Sequence, residues 1–323
     1  MSRFPFARYP NGWFQVAYTD ELPKGAVVPL RYFGKDLVLF RTESGEAQVL
    51  DAFCTHMGAH LGHGGKVKGE CVTCPFHAWE WNGKGECAHI PYAKKVPPKA
   101  KMRAWPVREI NGFIMVWHHA EGEPPAWEVP LVPEYGAEGW TPYEKRRWKI
   151  RTHNQEMAEN AVDSAHFLYV HRTLGQPVTE GEANGHVLHV TSITKMKTPM
   201  GETGGKVEVY CYGFGFTLTR FTGIVQTLLV SSATTIDEDY VDVRFSFMVK
   251  EHEFKHVTST VGAHFIAEIE RQLGQDIPIW ENKVYINPPL LVEGDGPIGL
   301  FRKWCKQFYS EPAAIEAAAS ASA

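Results

Sequence analysis

The chain has 323 residues, 44% of them hydrophobic, which suits about two packed cores. Its 33 basic and 37 acidic residues are spread along the sequence for a net charge of −4, so no tract of the size that nucleic acid or an anionic membrane demands is expected. The start MSRFPFARYPNGWF has no apolar leader core, no run approaches the roughly 18 to 20 apolar residues of a membrane span, and six cysteines are too few for a disulfide scaffold; a soluble, cytoplasmic chain with reduced thiols is expected.

From Trp13 to Leu50, short β-rich runs (WFQVA, VVPLRYFG, DLVLFR, AQVL) alternate with turn clusters such as Asp20 to Gly25 and Glu43-Ser44-Gly45. Strand-like runs return at Met102 to Val107 and Phe113 to His118. Together they predict a small antiparallel β domain, with the Gly-, His- and Cys-rich middle as loops projecting from it. A boundary is expected in the proline-rich EGEPPAWEVPLVP, Glu121 to Pro133. This divides the chain into 1–122, 123–310 and a low-complexity, disordered tail over 311–323. In the second domain Trp140 to Ile150 is strand-like, and four or five β-rich runs between Val187 and Val249 predict a sheet. Phe265, Ile269, Leu273 and Trp280 recur near a helical period, so a helix is expected from about Gly262 to Tyr285. The fold class is α+β.

Two stretches carry chemistry. The first is Cys54-x-His56, then seventeen residues, then Cys74-x-x-His77. A 2Fe-2S cluster needs four protein ligands, and two neutral imidazoles replacing two thiolates on one iron raise its potential to about −150 to +300 mV. Each short Cys/His pair can give one ligand to each iron if the loops approach from opposite sides. Cys71, Cys74 and His77 also form C-x-x-C-x-x-H, a possible zinc site, but that would leave Cys54 and His56 without a role. Cys71 and Cys87 read as buried thiols, and His60, His63 and His89 as surface or supporting residues.

The second stretch is HNQEMAENAVDSAHFLYVH, His153 to His171. Asn160, Asp163 and His166 fall three apart, so on a helix they share one slowly turning face. His171 lies about 140° further round than His166 on an ideal helix, so both imidazoles reach one ion only if the helix bulges or ends near Leu168 to His171. Two histidines and one remote carboxylate make the 2-His-1-carboxylate set of non-haem Fe(II) sites, with positions open for O2. Asp276 is the candidate carboxylate: it stands on the inward stripe of the late helix, where a buried carboxylate calls for a cation. The competing reading makes it a helix cap ahead of Pro278. Asp163 could also be a direct ligand, and Asn160 a capping or pocket-lining amide.

Cys54-Thr55-His56 with Cys74-Pro75-Phe76-His77 resembles the ligand motif of Rieske proteins, and with the second stretch the chain resembles, over nearly its whole length, the oxygenase subunit of Rieske non-haem iron oxygenases. The resemblance implies a Rieske all-β domain followed by a catalytic domain of helices on an antiparallel sheet, of the helix-grip, START-like kind. It implies cluster ligands at Cys54, His56, Cys74 and His77, a mononuclear Fe(II) held by His166, His171 and Asp276, and O2 as cosubstrate. Asp163 matches the family's bridging aspartate, which hydrogen-bonds an iron-ligating His and a cluster-ligating His of the neighbouring subunit; a ring, most simply a homotrimer, follows. No G-x-G-x-x-G follows a strand, so electrons are expected from a separate ferredoxin or flavin reductase using NAD(P)H. Met57 stands where the family's first loop usually has Arg. That departure, with HIPYA at 89–93, IMVWH at 114–118 and IWENK at 279–283, is similar to steroid and sterol oxygenases of the 3-ketosteroid 9α-hydroxylase and cholesterol 7-desaturase kind. They imply a monooxygenase that hydroxylates or desaturates an apolar steroid-like substrate, with aromatic or O-methylated substrates as the alternative. Tyr210, Tyr212, Phe214, Phe216 and Phe221 are expected to crowd the pocket wall. A pure electron carrier and a zinc-stabilised binding module are the readings from other classes; about 200 residues after the cluster motifs, with their own ligand set, argue against both.

Overall fold

A computed structural model describes residues 3–7, 9–198, 201–223, 225–254 and 257–310, so the tail expected over 311–323 lies outside the described residues. The N-terminal half carries three small antiparallel sheets. β1 (Gly12–Tyr18) pairs with β11 (Phe113–His118), which pairs with β10 (Val107–Ile110). β2 (Val27–Tyr32), β3 (Lys35–Arg41), β4 (Ala47–Asp51) and β9 (Ala104–Trp105) form the second sheet in that order. The third contains β5 (Lys66–Lys68), β6 (Cys71–Thr73), β7 (Glu80–Asn82) and β8 (Cys87–His89). The sequence reading treats this middle region as loops; it is a sheet of its own, whose three-residue strands are too short to show a period of two.

β3 shows how the strand period builds two cores at once. Leu37 and Leu39 point into a core shared with the second domain, while Val38 and Phe40 point into the core that surrounds Cys54, Cys74 and Trp81. The proline-rich stretch carries no regular element, yet it is pinned: the Trp13 indole donates to Trp127 O at 2.7 Å, and Asn111 bonds Pro130 O and Val132 N.

The C-terminal half is one seven-stranded antiparallel sheet. Its strands are β12 (Glu144–Ile150), β13 (Val178–Asn184), β14 (Val187–Thr198), β15 (Gly201–Tyr212), β16 (Thr217–Thr222), β17 (Thr227–Thr235) and β18 (Val241–Val249), in the order β12-β18-β17-β16-β15-β14-β13. β13, VTEGEAN, is too polar to be found from hydrophobicity. Among the described residues four α-helices accompany the sheet: α1 (Asn154–Glu159), α2 (Ser164–Tyr169), the long α3 (Ala263–Asn282), which continues a π-helical segment at Val257–Gly262, and α4 (Ile298–Cys305). α4 has no counterpart in the sequence reading, and it buries Phe301 and Trp304 in the shared core.

The two halves are joined by backbone and charge. Phe33 and Gly34, both left-handed at the tip of the β2–β3 hairpin, donate to Thr235 O and Ile236 O at 2.9 Å. Beneath that tip, buried Asp242 accepts from Tyr32 Oη at 2.5 Å, from Arg147 at 2.7 and 3.0 Å, and from Arg244 at 3.1 Å. Burial works to raise the Asp242 pKa, but the Arg147 hydrogen bonds and the Arg244 charge outweigh it and hold the carboxyl below its ordinary range.

Candidate metal centres and active site

The two Cys/His loops have the same construction. Cys54 N–H donates to Ala59 O and Gly58 N–H returns to Cys54 O; Cys74 N–H donates to Trp79 O and Ala78 N–H returns to Cys74 O, all at 2.8 to 3.0 Å. The residue four places after each cysteine is left-handed, Gly58 at φ 76° and Ala78 at φ 56°. Both thiols are buried, and the half-buried rings of His56 and His77 lie 4.7 Å apart. Burial pushes the Cys54 thiol up, partly offset by the His56 backbone N–H, so a thiolate there calls for a metal. His77 Nδ1 is buried without a hydrogen-bond partner. Buried sulfur below and unpartnered imidazole nitrogen above suit a 2Fe-2S cluster. Cys71 and Cys87 are buried on β6 and β8, where burial pushes both thiols up, helped at Cys71 by the charges of Glu80 and Glu70. His63 and His89 are exposed and His60 is half-buried.

Among the described residues, one set of three has its ligand atoms all within 4.8 Å of one another: His166, His171 and Asp276. A zinc triad of Cys71, Cys74 and His77 is therefore not assembled. His166 lies inside α2, but His171 lies beyond its end at Tyr169. The N–H groups of both Val170 and His171 reach back to His166 O, at 2.7 and 3.4 Å, the second across five residues. This is the irregularity expected between the two imidazoles. Each Nδ1–H is occupied: His166 donates to Asp163 O at 2.6 Å and His171 to Gln275 Oε1 at 3.1 Å. Both Nε2 atoms are thereby left as donors to a cation. His171 Nε2 lies 3.4 Å from Asp276 Oδ2. Burial lowers the His171 pKa, but the hydrogen bond and charge of Asp276 overcome it and raise it, so the carboxylate favours positive charge where a divalent ion would sit.

α3 runs unbroken through Pro278 and buries Ile266, Leu273, Asp276 and Trp280, which removes the helix-cap reading of Asp276. Glu268 feels the His171 charge but is taken up by Arg271, while Glu270 pairs with Arg146 and Glu281 accepts from Arg151 N–H. One expectation is corrected: Asn160, Asp163 and His166 do not share a helix. Asn160 closes α1, and Asp163 opens α2, accepting from Ala165 and His166 N–H at 3.1 and 3.2 Å. The short polar Asp163 favours capping over helix interior, so the chain breaks there. Its Oδ2 stands 3.9 Å from His166 Nδ1, which instead uses the backbone carbonyl. Burial raises the Asp163 pKa, but the His166 contacts and the two N–H bonds win and lower it. Asn160 Oδ1 accepts from the Trp280 indole at 3.3 Å, tying α1 to α3.

A cavity extends from the three candidate ligands to the sheet, and strand parity decides its wall. Odd-numbered residues face it, with Ser232 of β17 the one exception on these strands: Val207, Val209 and Cys211 of β15, Thr217, Thr219 and Phe221 of β16, Leu229, Ser231 and Ala233 of β17, Val243 and Phe245 of β18. Of the five aromatics expected there, Phe214 and Phe221 line the cavity; Tyr210 stacks on His189, and Tyr212 and Phe216 join the other core. Gln275, which fixes His171, gives no signal in the sequence beyond its place beside Asp276.

Comparison with known proteins matches residues 12–106 to the Rieske [2Fe-2S] domain and residues 116–309 to the 3-ketosteroid 9alpha-hydroxylase C-terminal domain. A 3-ketosteroid-9-alpha-monooxygenase oxygenase component of Rhodococcus rhodochrous is 33% identical over 94% of this chain and 82% of its own length. Cholesterol 7-desaturase nvd 1 of Ciona intestinalis is 30% identical over 94% of this chain and 69% of its own length. Dicamba monooxygenase bound to dicamba superposes with a TM-score of 0.75 over 94% of this chain and 98% of that structure, at 17% identity, which speaks for the fold alone.

Proposed function

The chain belongs to the Rieske non-haem iron oxygenases, in the group with the 3-ketosteroid 9alpha-hydroxylase C-terminal domain, and from that premise we propose that it oxidises an unactivated C–H bond of a steroid or sterol-like substrate. Such an enzyme works with a Rieske cluster, a mononuclear iron and O2, and as an oxygenase component it takes electrons from a separate protein. When bound, the iron supplies O2 activation, and the cluster supplies electrons one at a time. In the reading favoured here, Cys54, His56, Cys74 and His77 hold the cluster, and His166, His171 and Asp276 hold the iron. The domains divide near residue 122.

The single observation that carries this reading is one cavity whose one side is His166, His171 and Asp276 and whose other side is a mainly apolar sheet wall, with the hydroxyls of Thr217, Thr219, Ser231 and Ser232 among its lining. Asp163 O and Gln275 orient the two imidazoles, and the wall excludes water and positions a rigid apolar body. Asp163 sits at the surface beside the iron residues, its side chain 34% exposed. Exposed Tyr169 and Val292 lie near it, along the chain and through the Asp295 turn, and exposed Met57 and Phe76 flank the candidate cluster ligands His56 and His77. Two such apolar faces support a ring, most simply a homotrimer, in which the cluster of one subunit meets Asp163 of the next.

Incubation of the chain with a reductase, NADH, O2 and a panel of 3-ketosteroids and sterols, followed by mass spectrometry, is expected to give a hydroxylated or desaturated steroid. Turnover of aromatic acids or methyl ethers with none of any steroid would overturn the substrate class. Asp163→Asn is expected to keep both metals while slowing single-turnover product formation about 10- to 100-fold; loss of iron instead would make Asp163 a ligand.

A further inference from the structure

The chain's net negative charge conceals a local excess of the opposite sign. Residues 84–103 carry six basic side chains and one acidic one, in a chain whose net charge is −4. Lys94, Lys95, Lys99, Lys101 and Arg103 are all exposed, and among the described residues the four lysines make no ion pair. A pocket beside the first ligand loop gathers Lys35, Lys101 and Arg103 against Phe53 and Thr55, the residue between Cys54 and His56. The acids in that pocket are engaged elsewhere: Asp36 pairs with Arg31 at 3.0 Å, and Asp51 accepts from the Trp105 indole at 2.8 Å. Arg103 lies over the Trp105 ring at 4.3 Å, a contact that holds the guanidinium without cancelling its charge. Midway along the segment, the Tyr92 hydroxyl accepts from the Trp79 indole at 2.8 Å, and Trp79 stacks on His56 at 4.5 Å.

We propose that this basic patch is the docking surface for an acidic electron-transfer protein, the donor that reduces the cluster. The inference rests on Cys54, His56, Cys74 and His77 holding that cluster. Like charges crowded without counter-charges repel one another, and that repulsion is relieved when an oppositely charged surface covers them. Charge complementarity of this kind speeds encounter without locking the complex, as a donor that must leave after each electron requires. The location selects the partner: the segment reaches His56 through Tyr92 and Trp79, and its Lys101 and Arg103 line a pocket with Thr55, beside His56, whereas a membrane or a nucleic acid would have no reason to be brought there. The step itself is one electron passing from a reduced iron–sulfur centre of the donor to the oxidised cluster, with no bond made or broken.

The test uses the holoprotein and, as probe, a strongly acidic plant-type [2Fe-2S] ferredoxin. Binding is measured by titration calorimetry at low salt and at about 0.3 M NaCl, where charges more than a few ångströms apart are screened. Cluster reduction by the reduced ferredoxin is followed by stopped-flow absorbance. K94E/K95E/K99E is expected to raise the Kd and lower the second-order reduction rate by about tenfold or more at low salt, and to flatten the salt dependence. K303E, on the exposed side of α4, should change neither, and the cluster absorbance and the oligomeric mass should be unchanged in both. Equal affinity and equal salt slope for the triple variant and the parent would overturn the proposal. So would a changed oligomeric mass, which would assign the lysines to subunit contact, or tighter binding of the parent to phosphatidylserine vesicles than to ferredoxin, lost in the triple variant. A preparation without cluster absorbance would instead refute the cluster reading on which the inference rests.

Discussion

At the cluster site, Cys54 and Cys74 open two loops closed by the same pair of backbone hydrogen bonds, and all four candidate ligands fall between residues 54 and 77. At the iron site, the candidate ligands come from inside and just past the end of a six-residue helix and from a helix beginning at Ala263. The first site is therefore fixed by local backbone geometry, and the second by whether α3 packs correctly on α1, α2 and the sheet. Bonds that close a short loop survive changes elsewhere in the fold, whereas a site assembled across a domain inherits every weakness of its packing.

The sharpest way to break this contrast is to remove one remote ligand. Asp276→Ala is expected to take metal analysis from three irons per chain to two and abolish turnover, with the visible absorbance of the cluster intact. Iron retained at three per chain would mean that the carboxylate comes from elsewhere. A smaller effect is expected from Asp242→Asn, which leaves Arg147, Arg244 and Tyr32 facing a neutral amide in a buried network. Breaking such a pair costs about 3–5 kcal/mol. Because β18 also supplies Val243 and Phe245 to the cavity, chemical denaturation should show the catalytic sheet losing this stability while the cluster absorbance outlasts it.

Acid tests the other half. His118 is buried on β11, stacked 4.5 Å from Phe33, with its Nδ1 on Pro10 O at 3.0 Å. Burial holds its pKa down to about 3, with the Pro10 carbonyl opposing and the Arg103 charge assisting. The folded chain thus keeps this ring neutral while the unfolded chain protonates it near pH 6.5. Above that pH the group has no effect; as pH falls toward 3 the unfolded state binds the extra proton and stability is lost, by about 1.4 kcal/mol per unit or roughly 2 kcal/mol at pH 5. His118→Gln should be less stable at pH 7.5 yet lose that much less than the parent between pH 7.5 and 5 in denaturant titrations. Parallel losses in both proteins would move the acid-sensitive group elsewhere.

The same contrast explains how much could be read in the sequence. The candidate cluster residues are legible because their spacing is local, and the buried place of Asp276 is legible because an inward helical stripe marks a carboxylate as anomalous. The break at Asp163 was hidden because a spacing of three also suits an uninterrupted helix. The pocket wall was misjudged because strand parity, not aromatic content, selects Val207, Val209 and Cys211 over Tyr210 and Tyr212. β5 to β8, β13 and α4 left too short or too polar a pattern. The basic patch escaped notice because the chain's overall charge balance masks the basic run at 84–103, and only the fold sets its Lys101 and Arg103 beside Thr55.

The smallest expected effect probes the likeness between the two cluster loops themselves. Gly58 and Ala78 occupy equivalent left-handed positions, but only one is glycine. A Cβ at Gly58 would meet nothing within 4 Å, so Gly58→Ala changes backbone preference and little else. Left-handed backbone costs a non-glycine residue about 1–2 kcal/mol, and Gly58→Ala should destabilise the cluster domain by about that much. Ala78→Gly removes the same cost but adds unfolded-chain freedom, so it should gain up to about 1 kcal/mol. Both are read as the denaturant midpoint for loss of cluster absorbance. Opposite signs would show the two loops to be one design used twice. A loss from Ala78→Gly would show that the second loop depends on the Ala78 methyl group and not on its backbone alone.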